Sequence, residues 1–288
     1  MLKKNEFKLL SYFARKKTCD VSQRVLSKEL GISLGAIKAI IKSFTVKEYI
    51  SSNPGGAYFI TMNGIKALEP YKVKNAIIMA AGMSNRFVPL SYEKPKGLLK
   101  VKGEILIERE IMQLKAAGIN DITIVVGYMK EKFFYLEDKF GVKIVVNEDY
   151  YRYNNTSSLL LVLNQLSNTY ICSSDNYFVE NVFEPYVYEG YYSAVYASGP
   201  TDEYCLQYDS HGIIKGVTFG GHDSWYMCGH VYFDRTFSKK FSEILGQEFS
   251  NPDTQDHLWE NLYIRYIKEL KLHIRKYDKD KVWEFDSL

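Results

Sequence analysis

The sequence predicts an α/β protein in which a mixed, mainly parallel sheet follows a small basic helical domain. Three observations lead to this prediction. Apolar stretches alternate with helical stretches from residue 74 onward, as is typical of parallel strands covered by helices. The 288 residues suffice for two unequal domains. Residues 1–74 carry 14 Lys/Arg against 5 Asp/Glu, whereas the remainder carries 23 against 29. We therefore expect domains over 1–72 and 73–288.

The composition excludes several classes of protein. Apolar residues make up 46% and charged residues 25%, which is ordinary globular usage and excludes a disordered or collagen-like chain. No apolar run approaches the roughly 20 residues needed to cross a bilayer, and the N-terminus lacks the apolar stretch of a secretory signal. The four cysteines, Cys19, Cys172, Cys205 and Cys228, lack the paired spacing of a zinc site or disulfide framework. We predict a cytoplasmic protein with structural cysteines.

The first domain begins with three predicted helices. Apolar residues recur at helical spacing over Phe7–Phe13. A second helix is expected over Gln23–Leu30, where Ser22 provides a cap. Gly31 then makes a tight turn, and Ser33 caps a third helix. Helix, glycine-containing turn and helix form the helix-turn-helix pattern.

Residues 51–61 read as the turn and returning strand of a β-wing, and residues 62–69 suit a closing helix. The segment resembles the winged-helix domains of bacterial regulators. The resemblance implies DNA binding, with the third helix in the major groove. That helix offers only Lys38 and Lys42, without the Arg, Asn or Gln side chains suited to base contacts. The alternative is a protein–protein or interdomain module whose basic face is simply solvated.

The second domain opens with an apolar strand that ends in a loop of small residues. Ala80, Ala81 and Gly82 at the strand exit let the backbone approach a ligand closely, and free amides there hold phosphate oxygens. Arg86 and Lys96 add two cationic side chains about ten residues apart. A glycine turn after a strand is common, so the spacing of the cations carries the prediction of a nucleotide-binding loop.

This loop, followed by Arg86 and the Lys-Pro-Lys that ends at Lys96, resembles the signature of bacterial nucleotidyltransferases that activate sugars and phospho-bases. The resemblance implies a Rossmann-like nucleotidyltransferase domain. In that family the loop and the Arg wrap the triphosphate, while the Lys neutralises the reacting phosphates. Arg86 and Lys96 are therefore expected to be catalytic, and the loop to bind nucleotide. Ser84 stands where the family usually has a second glycine.

The alternation of strands and helices continues along the chain. We expect a helix over 107–117, a strand over 121–126, an amphipathic helix over 131–140 and a strand over 143–147. Gly127 and Tyr128, at the exit of the second of these elements, are assigned to the nucleotide.

Residues 154–159 resemble the Asn-Asn-x-x-Ser segment of the phosphocholine cytidylyltransferases, in which the pyrimidine nucleotide is gripped. The resemblance implies that Asn154 and Ser158 contact the nucleotide. The residues themselves also suit the cap of a helix over 158–165, since Asn, Thr and Ser favour that position. The two interpretations are compatible.

Asp175 ends an apolar strand and would lie at the carboxyl edge of the sheet, where open α/β folds bind ligands. In the resembled family this Asp is a magnesium ligand, and hard divalent ions prefer oxygen. Residues 282–286 resemble the family's terminal strand, whose Asp completes the metal site. The resemblance therefore implies Mg²⁺ as cofactor, held by Asp175 and Asp286, and Asp175 is expected to be catalytic together with Arg86 and Lys96. A turn residue is the alternative for either Asp.

Three segments place an aromatic ring beside a carboxylate: 201–204, 256–260 and 283–284. A quaternary ammonium donates no hydrogen bonds, so its binding requires π-faces and nearby negative charge. The resemblance to the phosphocholine enzymes assigns the following residues to a choline pocket: Tyr204, Asp256, Trp259, Glu260 and Glu284. Tyr204 stands where a larger ring is often found and Glu260 where Asp is frequent, which leaves phosphoethanolamine or an aminophosphonate open as acceptors.

The predicted reaction is transfer of a cytidylyl group from CTP to phosphocholine, giving CDP-choline and pyrophosphate by Mg²⁺-assisted in-line attack on the α-phosphate. One alternative is a sugar-1-phosphate nucleotidyltransferase, and another is a transcription regulator that senses nucleotide. The domain order is also similar to longer relatives that add a choline-kinase-like domain. We therefore expect the chain to be a piece of such a bifunctional protein.

Overall fold

The computed structural model describes residues 1–16 and 18–285. The chain divides into two compact units. The first comprises Met1–Lys72 together with Tyr186–Tyr188, and the second comprises Val73–Pro185 together with the residues from Glu189 onward. The division between Lys72 and Val73 falls where the charge balance of the sequence changes sign.

The first unit is helical, with a small antiparallel sheet in the order β1-β3-β2. Its elements are α1 (Lys4–Lys16), β1 (Thr18–Cys19), α2 (Gln23–Leu30), α3 (Leu34–Val46), β2 (Ile50–Ser52), β3 (Tyr58–Ile60) and α4 (Met62–Leu68). The hydroxyls of Ser22 and Ser33 accept backbone N–H groups in the first turns of α2 and α3, and Gly31 adopts a left-handed conformation, with φ of 62°. DNA binding by this unit remains a prediction.

The second unit contains the large sheet and the helices that cover it. Its elements are β4 (Asn75–Ala80), α5 (Leu90–Glu93), β5 (Lys100–Val101), β6 (Glu104–Ile105), α6 (Leu106–Ala116), β7 (Ile122–Val126), α7 (Tyr135–Phe140), β8 (Lys143–Val146), α8 (Asn155–Leu161), β9 (Thr169–Ser173), β10 (Asn176–Phe178), β11 (Tyr191–Tyr208), β12 (Ile214–Phe233), α9 (Arg235–Glu248), α10 (Pro252–Asp256), α11 (Trp259–Arg265), β13 (His273–Tyr277) and β14 (Val282–Glu284). Each helix in the described part of the chain is too short or too polar to cross a bilayer.

Within the described residues, seven strands form one sheet in the order β13-β11-β12-β9-β4-β7-β8. The neighbours of β4 on both sides are parallel to it, whereas β12 is antiparallel to β9 and β11. The predicted mixed, mainly parallel sheet is confirmed. Because β4 and β9 run in the same direction, Ala80 and Ser173 end their strands at one edge of the sheet.

A hairpin of two long strands, β11 and β12, forms a part of the sheet that the sequence did not predict. Its register shifts repeatedly, for example between Tyr192 and Ala194. Such irregularities interrupt the alternation of apolar and polar residues by which a strand is recognised. One face of the hairpin packs on the core through residues such as Val231 and Phe233, which are almost fully buried.

Two helix predictions differ from the structure. The helix expected over 158–165 begins at Asn155 and ends at Leu161. It begins earlier than expected because the side chains of Asn155 and Thr156 bond to a distant segment. The helix expected over 131–140 is divided into a 3₁₀ turn, Lys130–Phe133, and α7. Met129, immediately before the turn, has a φ of 50°. A left-handed residue does not belong to a right-handed helix, so the helical stretch begins no earlier than Lys130.

Candidate active site

A cavity of about 220 Å³ opens at the carboxyl edge of β4 and β9. Loop, helix and strand-end residues contribute to its wall: Met79, Ala80, Ala81, Gly82, Ser84, Pro95, Lys96, Gly97, Asn147, Tyr150, Tyr153, Asn154, Asn155, Ser158, Ser173, Ser174 and Asp175. The structure thus brings together most of the residues that the sequence assigned to nucleotide and catalysis.

The loop after β4 is held by the turn after β7. The backbone N–H of Tyr128 donates to the Ala81 carbonyl at 3.1 Å. Gly127 and Tyr128 therefore support the loop and are not part of the cavity wall. Ser84 has a φ of 52°, a conformation that favours glycine. The serine therefore adopts a backbone conformation that a glycine would reach with less strain.

We expect Gly127→Ala to damage both stability and nucleotide binding. An added Cβ would lie 2.6 Å from Tyr150 Cβ and 2.8 Å from the Ala81 carbonyl oxygen. Relieving these contacts should cost about 1–3 kcal/mol and shift the loop, which should weaken nucleotide binding. Thermal denaturation and titration with nucleoside triphosphates measure the two effects. Gly246→Ala is the matched control, since its Cβ meets nothing within 4 Å; equal behaviour of the two variants would contradict the prediction.

Lys96 and Asp175 form a sheltered ion pair in the cavity wall. The Lys96 Nζ lies 2.7 Å from Asp175 Oδ2, and the two side chains are 11% and 15% exposed. Asp175 Oδ1 accepts the Ser173 hydroxyl at 2.6 Å, and the Phe87 ring centroid lies 5.0 Å from Lys96 Nζ. Low exposure strengthens the field of these charges on anything bound beside them. The pair fixes a cation at the point where the sheet edge meets the loop.

Gly97 allows the segment that carries Lys96 to pack closely against the end of β9. A Cβ at Gly97 would lie 2.9 Å from Ser174 Cβ, so only glycine lets the Lys96 segment approach the end of β9 this closely. Arg86 lies on the 3₁₀ turn Asn85–Phe87 and is exposed, outside the wall of the cavity.

A second cavity of about 120 Å³ adjoins the first. Its wall combines two rings, two carboxylates and apolar groups: Met79, Asn155, Ile171, Cys172, Ser173, Tyr192, Met227, Cys228, Gly229, Val231, Trp259, Glu260 and Glu284. Met79, Asn155 and Ser173 belong to both walls. Molecules in the two cavities would therefore be direct neighbours.

Two side chains hold the Glu260 carboxylate of the second cavity in place. Its Oε1 accepts the Tyr192 hydroxyl at 3.1 Å, and its Oε2 accepts Asn155 Nδ2 at 3.4 Å. Burial raises the pKa of Glu260 to about 7, although the hydrogen bonds from Asn155 and Tyr192 oppose the shift. The rings of Tyr192 and Trp259 stack with centroids 5.9 Å apart.

Glu284 reaches the same cavity from late in the sequence. It lies on β14, where it pairs with Asn176 of β10. The next residue, Phe285, donates its backbone N–H to the Asp175 carbonyl at 3.3 Å. Asp286, the predicted second metal ligand, lies outside the described residues.

Of the other three residues predicted for the choline pocket, two lie outside the second cavity and one lies in its wall. Tyr204 packs edge-on against Phe219 in the hairpin, outside the second cavity. Asp256 is exposed, and its backbone carbonyl accepts Asn154 Nδ2 at 3.3 Å. Trp259 is only 3% exposed, because the core covers most of its ring.

Tyr192 and Asn155 are cavity residues that the sequence did not single out. Tyr192 falls in a tyrosine-rich stretch that reads as packing. Asn155 adjoins the selected Asn154 and reads with it as a cap. The Asn-Asn segment that suggested Asn154 also contains Asn155, whereas no signal in the sequence separates Tyr192 from the other tyrosines of its stretch.

The loop, the Lys96–Asp175 pair and the paired cavities at the sheet edge define a nucleotidyltransferase, and residues 76–202 match the family model of the MobA-like NTP transferase domain. Over 213 residues the chain is 34% identical to the choline-phosphate cytidylyltransferase of Streptococcus pneumoniae, covering 74% of this chain and 93% of that protein. The chain belongs to the family of bacterial choline-phosphate cytidylyltransferases.

Two further comparisons bear on the site. The solved structure of the CTP:phosphocholine cytidylyltransferase from Streptococcus pneumoniae superimposes with a TM-score of 0.73 and 35% identity, covering 75% of this chain and 95% of that one. The 2-aminoethylphosphonate cytidylyltransferase of Lancefieldella rimae is also 34% identical, over 74% of this chain and 89% of that protein. Relatives at the same identity thus carry names with two different acceptors.

Proposed function

We propose that the protein transfers the cytidylyl group of CTP to phosphocholine, giving CDP-choline and pyrophosphate. The observation that carries the proposal is the pair of adjoining cavities, one walled by the loop and the Lys96–Asp175 pair, the other by rings and carboxylates. The first suits a nucleoside triphosphate and the second a phosphorylated cationic base. The family to which the chain belongs supports the same reaction.

The site performs this chemistry by position and charge. A phosphate oxygen of phosphocholine attacks the α-phosphorus of CTP, and the bond from that phosphorus to the bridging oxygen breaks. Pyrophosphate leaves with the bonding electron pair. The attacking phosphate is already ionised at neutral pH, so no protein base has to remove a proton. Lys96 lowers the repulsion between the two anions and stabilises charge that develops at the α-phosphate.

Mg²⁺ is the proposed cofactor, held by Asp175 and Asp286. The donor chemistry of Asp175 fits, since Mg²⁺ prefers carboxylate oxygen and usually takes one or two carboxylates beside substrate phosphates. Residues 1–16 and 18–285 contain no cluster of three or more acidic, His or Cys side chains that would build a fuller metal cage. The Phe285–Asp175 backbone bond, one residue before Asp286 in sequence, supports the second ligand. Bound Mg²⁺ would neutralise phosphate charge.

The test is a matrix of substrates with product analysis. The protein is incubated with CTP or UTP and, in separate reactions, with phosphocholine, phosphoethanolamine, 2-aminoethylphosphonate or glucose 1-phosphate. The products are separated and identified by mass spectrometry. We expect CDP-choline as the main product. Faster turnover of 2-aminoethylphosphonate would mean that this compound, and not phosphocholine, is the acceptor, while the proposal of cytidylyl transfer would stand. A UDP-sugar product would refute the proposal altogether.

Glu260 gives the acceptor affinity a pH dependence. Its raised pKa of about 7 means that the carboxylate is mostly protonated below that value and charged above it. The charged form attracts the cationic base, so KM for phosphocholine should fall by up to about tenfold between about pH 6 and pH 8. The substrate phosphate titrates in the same range. The difference between the pH profiles of the wild type and Glu260→Gln gives the contribution of Glu260 to the change in KM. Parallel pH profiles of the two proteins would contradict a role for Glu260.

A further inference from the structure

Asn155 connects the two cavities through its side-chain amide. It is the first residue of α8 and contributes to both walls. Its Oδ1 accepts the backbone N–H of Trp259 at 2.7 Å, and its Nδ2 donates to Glu260 Oε2 at 3.4 Å. One amide therefore holds both the start of α11 and the carboxylate of the second cavity.

The neighbours of Asn155 attach α8 to the same distant stretch, residues 254–260, which we term the acceptor segment. The backbone N–H of Asn154 donates to the Gln255 carbonyl at 2.9 Å. The Thr156 hydroxyl donates to the Thr254 carbonyl at 2.8 Å. On its other side the start of α8 borders the first cavity through Asn154 and Ser158. A displacement of this helix end would be transmitted directly to the acceptor segment.

We propose that Asn155 is a positioning residue that couples the two cavities. A nucleotide resting against the start of α8 fixes Asn155, which in turn holds Trp259 and Glu260 in the arrangement that receives the cation of the acceptor. The inference rests on the proposed function for the contents of each cavity. Coupling is reciprocal, so each substrate raises the affinity of the protein for the other by the same factor.

Isothermal titration of phosphocholine, with and without the non-reacting α,β-methylene analogue of CTP, measures this factor. We expect the analogue to tighten acceptor binding about tenfold in the wild type. In Asn155→Asp the carboxylate still accepts the Trp259 N–H but cannot donate to Glu260 and repels it. The factor should fall towards one. Asn181→Asp is the matched control, because Asn181 also accepts a backbone N–H and donates to an oxygen, outside both cavities.

A reciprocal variant separates coupling from simple damage to the fold. In Asn155→Asp/Glu260→Gln the net charge is that of the wild type, and the amide introduced at position 260 donates to the carboxylate introduced at position 155. We expect the double variant to recover most of the coupling lost in Asn155→Asp. If Asn155 merely stabilised the fold, Asn155→Asp would lower the denaturation temperature and leave the coupling factor unchanged, and thermal denaturation of all the variants measures the first of these effects.

The outcomes are distinct from those of the proposed function. A factor near one in the wild type, an unchanged factor in Asn155→Asp, or a double variant no better than the single one each overturns the inference. Failure of the wild type to form CDP-choline refutes the proposed acceptor instead. If 2-aminoethylphosphonate is turned over in its place, the same titrations with that acceptor decide the coupling.

Discussion

Lys96→Ala should lower kcat by about 10³-fold or more while the protein remains folded. The loss follows from removing a fixed cation at the point where charge develops on the α-phosphate. Asp175 keeps the Ser173 hydroxyl and, at 3.4 Å, the Asn176 amide as hydrogen-bond partners. The free energy of unfolding should therefore fall by only about 1–3 kcal/mol. Pyrophosphate release at saturating substrates measures kcat, and circular dichroism follows unfolding.

The surface offers a matched control for this variant. Lys143 Nζ lies 2.7 Å from Asp121 Oδ1, the same separation as in the Lys96–Asp175 pair, but these side chains are 68% and 53% exposed. Lys143→Ala should leave kcat unchanged, since an exposed pair contributes little. If Lys96→Ala retained near-normal turnover, the assignment of Lys96 to the reacting phosphates would have to be abandoned.

Asp175→Asn should reduce kcat by a comparable factor and also change the response to Mg²⁺. The amide keeps the size of the carboxylate but removes the negative charge, which weakens both metal binding and the hold on Lys96. We expect half-maximal activity to require at least about tenfold more Mg²⁺. A titration of turnover against Mg²⁺ concentration measures the shift, with Asp121→Asn as the surface control.

The metal titration separates two roles of Asp175. A lower kcat with an unchanged Mg²⁺ requirement would mean that Asp175 acts only by orienting Lys96, and the metal assignment would fail. Asp286→Asn, titrated in the same way, tests the second proposed ligand independently.

Local signals predicted the elements whose stabilising contacts are local. The caps formed by Ser22 and Ser33 lie beside the helices that they begin, so α2 and α3 follow from the sequence alone. The start of α8 does not, because Asn155 and Thr156 bond to groups about a hundred positions away in the sequence. The hairpin of β11 and β12 was missed for a different reason, since its register shifts interrupt the alternation that marks a strand.

The candidate site divides in the same way. The presence of Lys96 and Asp175 in one site was anticipated, because a loop motif and a strand-end carboxylate have a fixed place in an open α/β sheet. Their direct ion pair was not predicted. The second cavity depends on which side chains of a long hairpin face inward. Tyr204 and Tyr192 are both tyrosines of β11, yet only Tyr192 reaches the cavity. Composition alone could not distinguish them.

The pairing of β14 with β10 has a consequence for biosynthesis. A nascent polypeptide exposes the β4 loop and Lys96 long before the ribosome has added residues 282–285, which bring Glu284 to the second cavity and bond to Asp175. A chain truncated before this stretch would have its parallel strands in place but would lack the part of the second cavity wall that Glu284 supplies. Catalytic competence should therefore appear only once residues 282–285 have been synthesised, well after most of the sheet has had the opportunity to fold.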